Sequence, residues 1–210
     1  MLNHIADRIR IYLEEKNRAR EQVLLRSREL IRCSSLSIRA VHRAELGVAR
    51  EFLGEARTLV QDIKELGQPY PDLYHAGYAQ DALKEYAEAH ITYALINGFP
   101  LPDPDDLGVE YAAYLNGLGE AAGELRRHVL DLIRRDEVEK GEKILEAMDE
   151  IYHLLVTIDF PDALTGSLRH TTDMVRGVLE RTRGDLTLAL RQEKLQKALS
   201  ALDEKLEVGD

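Results

Sequence analysis

The first stretch of the chain constrains the fold most, because residues 2–46 contain neither proline nor glycine. Alanine, leucine, glutamate and arginine recur through it, and these residues favour helix. The pattern predicts one helix to about residue 46, roughly 65 Å long at about 1.5 Å per residue, with Gly47 bending or breaking it. Such a helix is longer than a compact bundle of 210 residues needs. Part of it is therefore expected to pack against another subunit.

The rest of the chain repeats this helical pattern between a few breakpoints rich in proline, glycine and aspartate. Further helices are predicted over about 48–66, 72–97, 106–135, 137–158 and 165–206, the last of them broken near Gly184. Short connections between helices are typical of bundles. The sequence predicts an all-α fold, an up-and-down bundle of six to seven helices with a long first helix, as a single domain over residues 1–210.

Several features indicate a soluble cytoplasmic protein that does not enter a membrane. The opening MLNHIADRIR lacks the apolar region of a secretory signal. No segment reaches about 18 apolar residues without a charge. The one cysteine, Cys33, excludes an internal disulfide.

Charge is spread unevenly along the chain. The formal net charge is -10, yet residues 1–50 hold 11 Lys and Arg against 6 Asp and Glu. On one continuous helix, five arginines of this region fall within roughly 60° of arc: Arg28, Arg32, Arg39, Arg43 and Arg50. Guanidinium groups bind phosphate oxygens bidentately, so the row is a candidate track for a nucleic-acid backbone. The alternative is a solvated face with ion pairs to Glu29 and Glu45.

Two pairs of glutamates stand out on the middle helices. Glu85 and Glu88 are three residues apart, and Glu120 and Glu124 are four apart, so each pair projects from one helix face. If the two helices are antiparallel neighbours, the four carboxylates converge. Buried like charges need a cation or shifted pKa values. Mg²⁺ or Mn²⁺ would meet this need, because both prefer oxygen ligands. The alternative is ordinary surface charge.

Three glycines, Gly117, Gly119 and Gly123, occur within seven residues of the second of these helices. Each costs about 1 kcal/mol relative to alanine inside a helix. Their presence indicates close helix packing or a crowded cavity.

A second metal motif is weaker. Glu150 and His153 have the Glu-x-x-His spacing of di-iron bundles, which need a second such motif. The sequence has none, so His153 is expected to pack between helices.

Five segments, in order, resemble the translin family, and within it the translin-associated factor X branch most. They are EQVLLRSRELIRCSSLSIRAVHR (21–43), ALKEYAEAHITYALI (82–96), YLNGLGEAAGEL (114–125), EKILEAMDEIYHLL (142–155) and LRHTTDMVRGVLERTRGDL (168–186). The resemblance implies an all-α fold of about seven helices and closed homo-oligomers, commonly octamers, with an inner chamber. It also implies a metal-dependent endoribonuclease acting on single-stranded RNA.

The resemblance places the family's catalytic and metal-binding carboxylates on Glu85, Glu88 and Glu120, with Glu124 as an adjacent acidic position. It implies a metal ion as cofactor, and because the candidate ligands are carboxylates we expect Mg²⁺, with Mn²⁺ as an alternative. Such an ion activates water and stabilises charge at phosphorus. The family has aspartate where this chain has Glu120, so a longer side chain is expected to shift the metal position or the rate.

Translin's two basic regions are only partly present. AREFL (49–53) carries Arg50 into the first, and YHAGYAQ (74–80) leaves His75 as the remnant of the second. Two alternatives to the nuclease stay open: a non-catalytic binder of single-stranded RNA or DNA, as translin itself is, and a structural helical protein whose charged faces are only solvated.

Overall fold

The computed structural model describes residues 2–207, so Met1 and residues 208–210 of the predicted single domain lie outside it. The described residues contain helices and no strand, which confirms the all-α prediction. In chain order the helices are α1 (Leu2–His42), α2 (Leu46–Gly67), α3 (Pro71–Tyr74), α4 (Gly77–Asn97), α5 (Pro104–Leu107), α6 (Tyr111–Arg134), α7 (Lys140–Thr157), α8 (Asp162–Thr165) and α9 (Leu168–Glu207).

The long first helix ends earlier than the sequence predicts. α1 stops at His42, and Ala44 adopts a left-handed conformation with φ 60°. The amide of Glu45 donates to the carbonyl of Ala40, and the amide of Ala44 donates to that of Val41. This pair of bonds is the Schellman ending of a helix, usually formed with glycine. Gly47, the predicted breakpoint, lies inside α2 instead.

α2 therefore folds back along α1 as an antiparallel partner. Arg26 contacts Asp62 near one end of the pair, and the Ser37 hydroxyl donates to the Ala49 carbonyl near the other. Consequently Arg50 lies on α2 rather than on the first helix.

α6 lies at the centre of the bundle, where it contacts α4, α7 and α9. Its neighbour α4 runs parallel to it. Gly117, near the start of α6, packs against Lys84 and Ala87 in the first half of α4. About two turns later on α6, Glu124 contacts His42 at the end of α1. That end of α1 also packs against the end of α4, where Val41 lies in the same cluster as Ile96. The antiparallel arrangement assumed from the sequence is therefore wrong. Residues 98–110, including α5, lead the chain back from the end of α4 to the start of α6.

The two longest helices expose apolar side chains in the first part of α1 and the last part of α9. On α1 these are Leu2, Ile5, Ile9, Ile11, Tyr12 and Leu13, and on α9 they include Leu195, Leu199 and Leu202. None of the described helices is long and apolar enough to cross a lipid bilayer.

Candidate metal centre and nucleic-acid interface

Three of the four singled-out carboxylates converge between α4 and α6. A Cβ on Gly117 would lie only 2.7 Å from the Lys84 carbonyl oxygen and 3.0 Å from the Glu88 amide nitrogen, so only glycine allows the helices to approach this closely. The approach brings Glu120 opposite Glu85 and Glu88. One carboxylate oxygen from each of these three residues lies within 4.8 Å of the others.

Burial makes the negatively charged forms of these carboxylates unfavourable. Glu88 is only 8% exposed. Desolvation, together with the charges of Glu85, Glu120 and Glu124, raises the pKa of Glu88 to about 8. Desolvation and the charge of Glu120 also raise the pKa of Glu85. Three convergent oxygen donors in a partly dehydrated setting fit a hard divalent cation, because such an ion offsets the repulsion between the carboxylates.

Lys84 contacts the same cluster, and sequence reasoning missed it. Its Nζ lies 2.7 Å from Glu120 Oε1 and 3.9 Å from Glu85 Oε1. Burial opposes a charge on the lysine, but the hydrogen bond and charge of Glu120 outweigh it and raise the pKa of Lys84. The only signal in the sequence was the position of Lys84 directly before Glu85.

Glu124 lies beside the three convergent carboxylates and is held by a histidine. His42 Nε2 donates to Glu124 Oε2 at 2.5 Å, and Arg127 approaches the same oxygen at 3.7 Å. The hydrogen bond from His42 lowers the pKa of Glu124. His42 is almost fully buried, and its Nδ1 has no hydrogen-bond partner among the described residues. No sequence pattern links residues 42 and 124, so His42 was also missed.

The two other glycines of α6 differ from each other. A Cβ on Gly119 would collide with Thr171 of α9, so this glycine permits close packing on the other side of α6. Gly123 has no atom within 4 Å of such a Cβ. The prediction of close packing is therefore confirmed for Gly117 and Gly119 and wrong for Gly123.

The arginine row is exposed but is not carried by one helix. Arg28, Arg32 and Arg39 lie on α1 opposite its buried face, and Arg43 follows the end of that helix. Within residues 2–204, none of these four forms a salt bridge; Glu29 pairs with Arg26 instead. The ion pairs that the alternative expected along the row are therefore not formed among the described residues, whereas the solvated face that it expected agrees with the exposure of these arginines.

Arg50 departs from the predicted single arc, because it lies on α2. It is exposed, and its guanidinium donates to the Tyr93 hydroxyl at 3.2 Å. Tyr93 in turn stacks on Phe99, with ring centroids 5.6 Å apart. Arg50 therefore adds an exposed cation beside two aromatic rings rather than extending the row on α1.

His75 lies apart from the carboxylates, in the turn before α4. It is exposed, packs edge-on against Tyr74 and lines an open cavity of about 600 Å³ together with Lys64, Glu110 and Tyr111. Both acidic and basic groups line this cavity, so His75 is not part of a basic patch here.

His153 does not pack between helices, contrary to the expectation. Its side chain is 71% exposed, and its Nδ1 donates to the Asp149 carbonyl of the same helix. Glu150 is also exposed. The Glu-x-x-His spacing on α7 therefore belongs to a solvated helix face.

Known proteins share this architecture. No protein-family model matches the chain. The uncharacterized protein MJ0175 of Methanocaldococcus jannaschii is 29% identical over 191 residues, which span 90% of this chain and 84% of that protein. AfC3PO, solved alone and in complex with duplex RNA, is 35% identical, with a TM-score of 0.83 over 89% of this chain and 97% of its own. NeC3PO, solved in its apo form, is 22% identical and shows the same fold, with a TM-score of 0.80 over 88% of this chain and 96% of its own.

Proposed function

Because this chain belongs to the translin/C3PO family, we propose that it is a metal-dependent endoribonuclease that cleaves single-stranded RNA inside a closed oligomer. The observation that carries the proposal is the convergence of Glu85, Glu88 and Glu120, with carboxylate oxygens within 4.8 Å of one another. These are the positions to which the family resemblance assigns catalysis. For this reason we propose that the chain is of the factor X type, and we further propose that it acts in the cytoplasm.

The three convergent glutamates would hold the ion, with Glu124 as an adjacent acidic ligand. We propose Mg²⁺ as the resident ion and Mn²⁺ as a substitute, because carboxylate oxygens suit both. When bound, the ion supplies positive charge for the developing phosphate charge and lowers the pKa of water. The chain itself fixes the geometry: Gly117 sets the separation of α4 and α6, and His42 orients the carboxylate of Glu124.

RNA is the proposed ligand, since AfC3PO has been solved with duplex RNA. Arg28, Arg32, Arg39 and Arg43 offer exposed guanidinium groups for phosphate oxygens. Arg39 and Arg43 flank His42, which contacts Glu124, so the row leads towards the carboxylates. Arg50 adds a cation beside Tyr93, and His75 is a more distant contact in this proposal.

A homo-oligomer, with an octamer as the proposed size, would cover the apolar side chains that α1 and α9 expose. Several exposed leucine and isoleucine side chains along one helix are typical of subunit contacts. The length of α1, about 60 Å at about 1.5 Å per residue, gives enough surface for such contacts.

A second candidate function is non-catalytic binding of single-stranded RNA or DNA, as in translin. The observation that favours it is the Lys84–Glu120 ion pair, which already satisfies one oxygen of a proposed metal ligand. Under this alternative the carboxylate cluster is structural, and binding needs no metal.

Cleavage of a labelled single-stranded RNA, with Mg²⁺ and with EDTA, tests the proposal. We expect Mg²⁺-dependent internal cleavage that Glu85→Gln reduces about a hundredfold or more. Glu146→Gln is the matched control, since Glu146 is exposed on α7 and outside the cluster. A Glu85→Gln variant that cleaves at the wild-type rate would contradict the proposal. RNA binding that EDTA does not affect, without any cleavage, would support the second candidate function. The same assay with a duplex RNA of the same sequence measures the preference for single-stranded over duplex RNA.

A further inference from the structure

Lys84 is an unusual neighbour for a metal site. It stands on α4 directly before Glu85, yet its side chain reaches across to α6, where Nζ lies 2.7 Å from Glu120 Oε1. Most of the side chain is shielded from solvent. Its charge also favours ionisation of both other members of the cluster, because it lowers the pKa of Glu85 and of Glu88 against the effect of burial.

The lysine and a divalent ion would need the same carboxylate. When all three glutamates are ionised, as binding of an ion requires, they carry three negative charges, and the ammonium neutralises one of them. An ion held by oxygens of Glu85, Glu88 and Glu120 would lie only a few Å from Nζ, where two cations repel strongly in a partly dehydrated site. The ammonium also occupies a lone-pair position of Glu120 Oε1, which leaves fewer positions on that carboxylate for an ion.

We propose that the ammonium of Lys84 competes with a divalent ion for the carboxylate of Glu120, so that binding of the ion weakens or breaks the contact between Lys84 and Glu120. The ammonium holds the carboxylates together without metal and lowers the affinity of the cluster for a divalent cation. The inference rests on the proposed function, since it assumes that the cluster binds a metal.

Titration calorimetry with Mn²⁺ on the full-length chain measures this effect without reference to cleavage. Lys84→Met keeps the length of the side chain but removes its charge, and we expect it to bind Mn²⁺ about tenfold more tightly or better. Lys84→Arg keeps the charge and is expected to stay within about threefold of the wild type. Unchanged or weaker Mn²⁺ binding by Lys84→Met overturns the inference. If that variant does not fold, Lys84→Gln takes its place.

A second measurement needs no variant. Acetylation of lysine amines by an activated ester, followed by mass spectrometry, reports how free each ammonium is. We expect Lys84 to react faster with Mg²⁺ than with EDTA, because the ion releases it from Glu120. Lys143 is the control, since it is exposed on α7 and away from the cluster. Equal rates at Lys84 in both conditions would contradict the inference.

The two measurements separate this inference from the proposed function. If the wild type binds Mn²⁺ in a Glu85-dependent manner and Lys84→Met binds it equally well, only the proposed role of Lys84 is contradicted. If neither the wild type nor Lys84→Met binds Mn²⁺, the proposed metal site is contradicted, and the proposed role of Lys84 is contradicted as well.

Discussion

Glu88→Gln is expected to stabilise the metal-free protein, and increasingly so as the pH rises. The ordinary pKa of a glutamate is 4.5, and burial among carboxylates raises that of Glu88 to about 8. Between pH 4.5 and about pH 8, Glu88 keeps its proton in the folded state and releases it in the unfolded state. The free energy of unfolding therefore falls by up to about 1.4 kcal/mol for each pH unit between these two values.

The loss of unfolding free energy caused by Glu88 depends on the pH. At a pH below the pKa of Glu88 in the unfolded state, Glu88 is protonated in both states and does not lower the free energy of unfolding. Near pH 7 the cost is about 3 kcal/mol, and above the folded pKa it levels off at about 5 kcal/mol. Because Glu88 is 8% exposed, solvent screening reduces these values little. Glutamine has the shape of the protonated carboxyl group and never ionises, so Glu88→Gln avoids the cost.

Urea unfolding followed by circular dichroism, in EDTA and at fixed protein concentration, measures this difference across the pH range. Glu124→Gln is the matched control with the opposite sign. The hydrogen bond from His42 lowers the pKa of Glu124, so its contribution to stability is present above the unfolded pKa and is lost as the pH falls through the folded one. Glu124→Gln should therefore be less stable than the wild type at neutral pH. If the difference between wild type and Glu88→Gln does not change with pH, the account of the buried cluster is refuted.

Two further predictions concern the contact between α4 and α6 and the proposed contact of the arginine row with RNA. Gly117→Ala places a methyl group 2.7 Å from the Lys84 carbonyl oxygen, so we expect a loss of about 1–3 kcal/mol in unfolding free energy and weaker Mn²⁺ binding by calorimetry. Gly123→Ala meets open space and should gain up to about 1 kcal/mol; equal effects of the two alanines would contradict this geometry. Arg39→Ala should weaken binding of single-stranded RNA and reduce the slope of log affinity against log salt by about 1, whereas the exposed Arg176→Ala on α9 should leave both unchanged.

Local pattern was enough to locate most helices and to place each pair of carboxylates on one helix face, because helix periodicity and the i,i+3 and i,i+4 spacings are properties of neighbouring residues. The choice of Glu85, Glu88 and Glu120 as a site came from the family resemblance. Local pattern failed where the structure depends on contacts between distant residues. Ala44 ends α1 in a left-handed conformation that costs a non-glycine residue roughly 1–2 kcal/mol, so composition pointed to Gly47 instead. The parallel direction of α4 and α6 depends on the crossover at residues 98–110, which no periodicity encodes. The His42–Glu124 contact joins residues 82 positions apart.

The lysine at position 84 and the glutamate at position 120 are best understood together. The family resemblance implies aspartate where this chain has Glu120, and the extra methylene lengthens that side chain. In this structure the longer carboxylate is the one that reaches the ammonium of Lys84 on the neighbouring helix. A cluster that gains a cation from its own chain is less repulsive when it holds no metal, but it binds a divalent ion less tightly. If Lys84 competes with the ion as proposed, the departure from aspartate and the presence of Lys84 are two parts of one electrostatic arrangement, in which stability without metal is gained at the expense of metal affinity.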